Sequence, residues 1–325
     1  MVSSQDQFAI GIDIGATKIA SVLIAEAGEV LASSQVLTHA EEGMQAVFDK
    51  VAGQIQDLIR QSPGPLAGAG IGSPGKVDSE HGKVYNAINL GWAEVNLVEE
   101  IQSRIEQEDL PVWIQKDANL SALGEVYFGA GQGLQDFIYL GIGSGLGAGI
   151  VSSGHLIVGG DWYAADVGHL SIDPNGPLCV CGSRGCAETI ASGPGLVRVT
   201  LQKLATFPGR SLLTNRFDLT PAEVLAAAQE GDALALQSLA EVGRVLGWIM
   251  SSCTAILNPS RYVIGGGLGL AGFDFIMPAA REELMRRTIP ESRSLLDIVP
   301  SQVESPAIGA ACLVWYARSG NTVKS

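Results

Sequence analysis

The stretch Phe8-Ala-Ile-Gly-Ile-Asp13-Ile-Gly15-Ala16-Thr17-Lys18-Ile-Ala-Ser-Val-Leu-Ile-Ala25 decides the fold. An apolar run from Phe8 to Ile12 ends at a glycine-containing turn. A second run spans Ile19 to Ala25, and a third, Val30 to Ala32, follows Ala27-Gly28. Short apolar runs parted by glycine turns predict a three-stranded antiparallel meander. The unit recurs in the second half: Phe137 to Ile142, then Gly143-Ser144-Gly145-Leu-Gly147, then Ala148 to Ser152, Ser153-Gly154, and His155 to Val158. Two copies of one unit predict a duplicated α/β architecture with two lobes and a cleft between them.

Between and after these copies the periodicity changes. Met44, Val47, Val51, Ile55, Leu58 and Ile59 recur at the 3–4 spacing of a helix over about 43–60. A strand over Ala67 to Ile71 runs into Gly72-Ser-Pro-Gly75, and a strand over Val112 to Ile114 runs into Lys116-Asp117-Ala-Asn119, which opens a helix. Thr220-Pro-Ala-Glu223 is a capping box with proline at the first helical position. Asp232 caps a longer helix ending before Asn258-Pro259. Tyr262 to Ile264 is a strand leading to Gly265-Gly266-Gly267, and Pro306 to Tyr316 a last helix. The tail from Ala317 to Ser325 is expected to fray.

With 325 residues, 46% of them hydrophobic, the chain can bury the cores of two domains. A mean hydropathy of +0.25 argues against disorder. The net charge of −14 repels nucleic acid and anionic lipid, so neither is an expected partner. It also means that a phosphate site must be built locally, from backbone N–H groups and a few cations. The first seven residues lack a basic segment followed by an apolar core, and no apolar run reaches the ~18–20 residues that span a bilayer. The expectation is a soluble, cytoplasmic protein.

Three motifs carry chemistry. His169 followed by Cys179-Val-Cys181 and Cys186 offers the N/S donor set that zinc takes in closed, tetrahedral, structural sites. The competing reading is reduced cysteines packed in a loop; a disulfide is disfavoured by compartment. Cys253 and Cys312 sit in apolar helical stretches and read as small buried hydrophobes. At the first hairpin, Gly15 and Ala16 bring backbone close to phosphate oxygens, Thr17 and Lys18 add a hydroxyl and a cation, and Asp13 suits a water-coordinated Mg²⁺. Gly143, Ser144 and Gly145 form its counterpart, and Gly265 to Gly267 would let an adenosine lie against backbone. Asp117, at a strand-to-helix junction, is placed for a general base; the plain alternative is a helix N-cap. Asp166, His169 and Glu188 flank the cysteine loop and can hydrogen-bond sugar hydroxyls.

From Phe8 to about Trp315 the chain resembles the ROK family of repressors, open reading frames and sugar kinases, its glucokinase-like members above all. The phosphate motif, Gly72-Ser-Pro-Gly75, Asn89-Leu-Gly-Trp92, Asp117-Ala-Asn119, Gly143-Ser-Gly145, Gly168-His169, the cysteine cluster with Glu188, and Gly265 to Gly267 appear in family order. The resemblance implies an actin-like (ribonuclease H-like) fold. Residues 1–118 with 306–325 would form the small lobe and 119–305 the large one. It implies transfer of the ATP γ-phosphate to a hexose, glucose first, with N-acetylglucosamine, N-acetylmannosamine, fructose or allose as alternatives and polyphosphate as another donor. Asp117 matches the catalytic base; Gly75, His169 and Glu188 match sugar contacts; His169, Cys179, Cys181 and Cys186 match the ligands of a structural Zn²⁺. Relatives are often homodimers. Two positions depart from the pattern: Lys116 stands where Asn is usual, and Asp166 where Glu is usual. Lys only donates hydrogen bonds and carries charge, and Asp retracts the carboxylate by about 1–1.5 Å. These departures motivate a second reading, a sugar-binding regulator weakened in catalysis. Family repressors carry a helix-turn-helix ahead of the core, and only seven residues precede the first strand here.

Overall fold

The computed structural model describes residues 7–214, 218–293 and 296–320. The leader expectation over residues 1–6, and the expected fraying beyond 320, lie outside these residues. The chain divides into two compact units. One takes in residues up to Gly133, His155–Ala164 and the chain from Gln302 on; the other comprises Leu134–Gly154 and Ala165–Ser301.

The first unit opens with the meander β1 (Phe8–Ile14), β2 (Lys18–Ala25) and β3 (Val30–Leu37), then α1 (Met44–Gln61) and β4 (Leu66–Ser73). A small antiparallel sheet follows, β5 (Lys76–Asp78), β6 (Lys83–Ala87) and β7 (Trp92–Asn96), then α2 (Leu97–Gln102), β8 (Val112–Lys116) and α3 (Asp117–Phe128). The main sheet has the order β3-β2-β1-β4-β8, with β4 and β8 parallel to β1. Phe8, Ile10, Ile12 and Ile14 of β1 are all buried, and so are Ala9 and Gly11 between them. Both faces are covered, which explains a continuous apolar run in place of alternation. Each large side chain buried there contributes ~1.5–3 kcal/mol. In α1, Val47, Val51, Ile55 and Leu58 are buried as the spacing predicts, while Met44 and Ile59 are only partly covered.

The second unit holds β9 (Phe137–Ile142) and β10 (Leu146–Ser152). After the two-residue β11 (His155–Leu156), which belongs to the first unit, come α4 (Gly193–Leu204), α5 (Pro221–Gln229), α6 (Ala233–Leu257), β12 (Arg261–Gly265), α7 (Gly267–Ala271), α8 (Phe273–Arg287), α9 (Pro290–Arg293) and β13 (Asp297–Pro300). The closing helix α10 (Pro306–Arg318) returns to the first unit. β9 pairs antiparallel with β10 and parallel with β12, which pairs parallel with β13. The order β10-β9-β12-β13 thus repeats β2-β1-β4-β8, so the duplication expected from the glycine-turn repeat is present as topology.

Three expectations need adjustment. The third strand of the second copy stops at Leu156 rather than Val158. Val158 instead accepts a hydrogen bond from the Ala164 N–H at 3.1 Å, closing a loop through Gly159. The unit break falls after Gly133, not after residue 118. The reason is α3, where Ala118 to Glu125 are all buried and Gly124 packs against Gly309 of α10. For the same reason the return crossing lies at 301–302 rather than at 306. Helix caps follow the sequence more closely: Thr220 with Glu223 forms the capping box, Asp232 caps α6, and Asn258 ends it in the left-handed region. Among the described residues no helix is long and apolar enough to cross a membrane.

Candidate active site and metal centre

In the first unit the β1–β2 hairpin is closed by the Gly15 N–H donating to the Lys18 carbonyl at 2.9 Å. Buried Thr38 pins it from β3's end, its hydroxyl donating to the Gly15 carbonyl at 2.7 Å and its N–H to Thr17 at 3.0 Å. Ala16, Thr17 and Lys18 at the tip are exposed, so a hydroxyl and an ammonium are free to meet a phosphate. Asp13, half-buried at the end of β1, has its carboxyl pushed up to about 7. Burial is the main cause, the Asp117 carboxylate the next, and Lys18 relieves it in part. A carboxyl whose charged form is disfavoured by burial and by a neighbouring carboxylate is a donor that a divalent cation would neutralise, so Asp13 fits the Mg²⁺ role by its electrostatics.

Asp117 is exposed and is the first residue of α3; the N-cap position is Lys116, which makes no side-chain cap bond. The plain alternative of Asp117 as the N-cap is therefore displaced by one residue. One oxygen of Asp117 accepts the Ala118 N–H at 2.7 Å. Behind it, Gln115 is 1% exposed and accepts from the Lys116 N–H at 2.8 Å and from Asn119 Nδ2 at 3.1 Å. Gly75, with φ of +90°, sits where a Cβ would meet the Tyr85 carbonyl, so its backbone shape is set by packing on β6.

In the second unit the β9–β10 hairpin repeats the closure: the Gly143 N–H donates to the Gly145 carbonyl at 2.9 Å. The Gly143 carbonyl accepts from the Gly193 N–H at 2.7 Å, which ties the turn to the start of α4. Glu188 Oε2 accepts the Leu146 N–H at 2.9 Å, and a Cβ on Gly145 would come within 2.5 Å of that oxygen. The hairpin and Glu188 are thus one mechanical piece. Among Gly265, Gly266 and Gly267, the Cβ positions of the first two are taken by Tyr139 and Ile142; only Gly267 faces open space.

His169, Cys179, Cys181 and Cys186 converge, their donor atoms all within 4.8 Å of one another. His169 Nδ1 lies 3.6 Å from Cys179 Sγ, and Cys181 Sγ lies 3.6 Å from Cys186 Sγ. Donors at ~2.3 Å (S) and ~2.0 Å (N) from one tetrahedral metal stand roughly 3.5–3.8 Å apart, so these four fit a single ion. Two isolated bridges, Ser171 with Cys186 and Leu178 with Arg184, fold the loop back on itself. Burial pushes the Cys186 thiol up to about 12, whereas hydrogen bonding, first from the Ser183 backbone, lowers exposed Cys181. Asp166 precedes the single turn that carries His169, and its carbonyl accepts the His169 N–H at 3.0 Å.

Residues 9–316 match the model of the ROK family. The chain belongs to the ROK family. It is 34% identical to a glucokinase of Streptomyces coelicolor over 94% of this chain and 96% of that protein. It is also 32% identical to a xylose repressor of Caldicellulosiruptor bescii, over 94% of this chain and 76% of the repressor. A solved ROK family glucokinase from Streptomyces griseus, in complex with glucose and AMPPNP, superposes with a TM-score of 0.80 at 32% identity, covering 94% of this chain and 98% of that one. The fold class is accordingly the actin-like duplicated α/β fold of ROK sugar kinases.

Gln115, Ser79, Thr38 and Glu125 are the polar residues that reading the sequence passed over. Only Gln115 left a signal, an amide placed directly after the apolar strand 112–114.

Proposed function

We propose that the chain is an ATP- and Mg²⁺-dependent hexose kinase with glucose as its first acceptor. The observation that carries the reading is the Asp13–Asp117 carboxylate pair beside the Lys18 hairpin, found in a chain 34% identical to a glucokinase over 94% of its length.

In this reading the Asp117 carboxylate takes the proton of a sugar hydroxyl, whose oxygen attacks the γ-phosphorus while the bond to the β–γ bridging oxygen breaks and ADP leaves. Thr17 and Lys18, with the backbone of Gly15 and Ala16, hold phosphate oxygens. Gly143, Ser144, Gly145 and Gly267 serve the nucleotide, with Gly265 and Gly266 shaping the turn. Asp13 would hold Mg²⁺, and the ion, when bound, would supply neutralisation of phosphate charge. Glu188, His169, Asp166, Lys116 and the Gly75 backbone contact the sugar. His169, Cys179, Cys181 and Cys186 hold a structural Zn²⁺, the four-donor spacing being its support.

The second reading, a sugar-responsive regulator, is favoured by the 32% identity to a xylose repressor and by Lys116 and Asp166 at pattern positions. An ATP-coupled assay across glucose, N-acetylglucosamine, N-acetylmannosamine, fructose and allose separates the two. The kinase reading expects turnover on glucose; sugar binding with no phosphate transfer to any acceptor supports the regulator.

A further inference from the structure

We propose that Gln115 is a positioning residue for Asp117: its buried amide fixes the start of α3 and fastens it to the loop that follows Gly75. The inference rests on the kinase reading above.

Gln115 lies in β8, next to the strand's last residue, and its amide is out of reach of water. A buried amide is tolerated when its polar atoms are paired. Here Oε1 accepts two donors, the Lys116 N–H at 2.8 Å and Asn119 Nδ2 at 3.1 Å, while Nε2 donates to Ser79 Oγ at 3.0 Å. Lys116 precedes Asp117 and Asn119 follows it by two residues, so a single oxygen grips the chain on both sides of the carboxylate. The grip matters because the N-cap residue is Lys116, which has no acceptor with which to cap the first turn. The Ala118 N–H of that turn is taken by Asp117 itself, and Gln115 steadies the turn from one residue further back through the Lys116 N–H and the Asn119 side chain.

The other end of the amide reaches the sugar side. Ser79 follows directly on β5, which begins one residue after Gly75. The backbone of Gln115 is also in register with Gly72 of β4, where the Gly72-Ser-Pro-Gly75 segment leaves the sheet. One side chain thus ties both flanks of the base to Ser79, the residue that follows β5. A displacement of about 1 Å in a reacting group can cost ~10²-fold in rate, so a tether of this kind reads out in kcat.

The test is steady-state kinetics with MgATP and glucose on the full chain, with thermal melts of each variant. Gln115→Leu is expected to lower kcat about 10–100-fold with KM for ATP within twofold of wild type. Gln115→Glu keeps both acceptor bonds but adds a negative charge two residues from Asp117. It is expected to recover part of kcat and to move the acidic limb of the kcat/KM profile to higher pH. Should Gln115→Leu fail to fold, Ser79→Ala, which cuts the same tether at its half-exposed end, is expected to lower kcat several-fold. A folded Gln115→Leu with wild-type kcat overturns the inference. So does a loss that merely tracks the folded fraction while Gln115→Glu keeps the wild-type pH profile. A wild-type chain that transfers no phosphate would overturn the kinase reading and this inference together; an active wild type with an unimpaired variant overturns this inference alone.

Discussion

Asp13 at the end of β1 is pushed up to about 7 by its burial and then by Asp117 at the first turn of α3. The native chain therefore binds this proton more tightly than the unfolded chain does. Asp13's contribution to stability is fully present below the ordinary carboxylate pKa of 3.8 and is lost as pH rises through about 7. In magnesium-free buffer, Asp13→Asn should melt progressively higher relative to wild type between pH 5 and pH 8. Adding Mg²⁺ at pH 8 should stabilise wild type and leave the variant unmoved. Parallel melting curves across that range would contradict the assigned pair.

The sequence made the two halves legible because each announces itself by a local signal: an apolar run, a glycine turn, an apolar run. The cysteine loop was legible because His169, Cys179, Cys181 and Cys186 lie within eighteen residues. Less visible were interactions made at long range. Nothing in the local pattern says that Ser79 meets Gln115, or that α3 packs through Gly124 on Gly309 and so carries the unit break past residue 118. The short strands β5 to β7 escaped notice because three to five residues are too few to show a period.

Glu125 is a buried carboxylate in α3 that collects backbone N–H groups from two loops. It accepts from Ala130 at 2.6 Å, Gln302 at 3.1 Å and Val303 at 3.3 Å. These loops adjoin the points where the chain leaves the first unit and re-enters it. Glu125→Leu should destabilise the protein by about 3 kcal/mol or more, because three backbone donors lose their acceptor. Chemical denaturation measures this, and Glu125→Gln should cost less.

Gly145 leaves room for Glu188 Oε2, which holds the Leu146 N–H. Gly145→Ala should push that carboxylate off the hairpin and raise KM for glucose and ATP together, by roughly tenfold if a charge-assisted hydrogen bond of ~1.5–3 kcal/mol is weakened by half or more. A variant changing neither KM would show that Glu188 and the hairpin work apart.

The four converging donors predict about one zinc per chain by elemental analysis. Cys186→Ser should lower that content and the melting temperature together, since metal binding and folding are linked. Full activity and unchanged melting in a metal-free chain would contradict a structural ion.

The most direct measurement pairs product analysis with binding for wild type and Asp117→Asn, using glucose and MgATP. The account predicts that wild type yields ADP and hexose monophosphate in equal amounts. Asp117→Asn should retain glucose affinity within a few-fold by calorimetry and lose about 10²–10⁴-fold in kcat. Turnover by Asp117→Asn close to wild type, or no phosphorylated hexose from wild type, would contradict it.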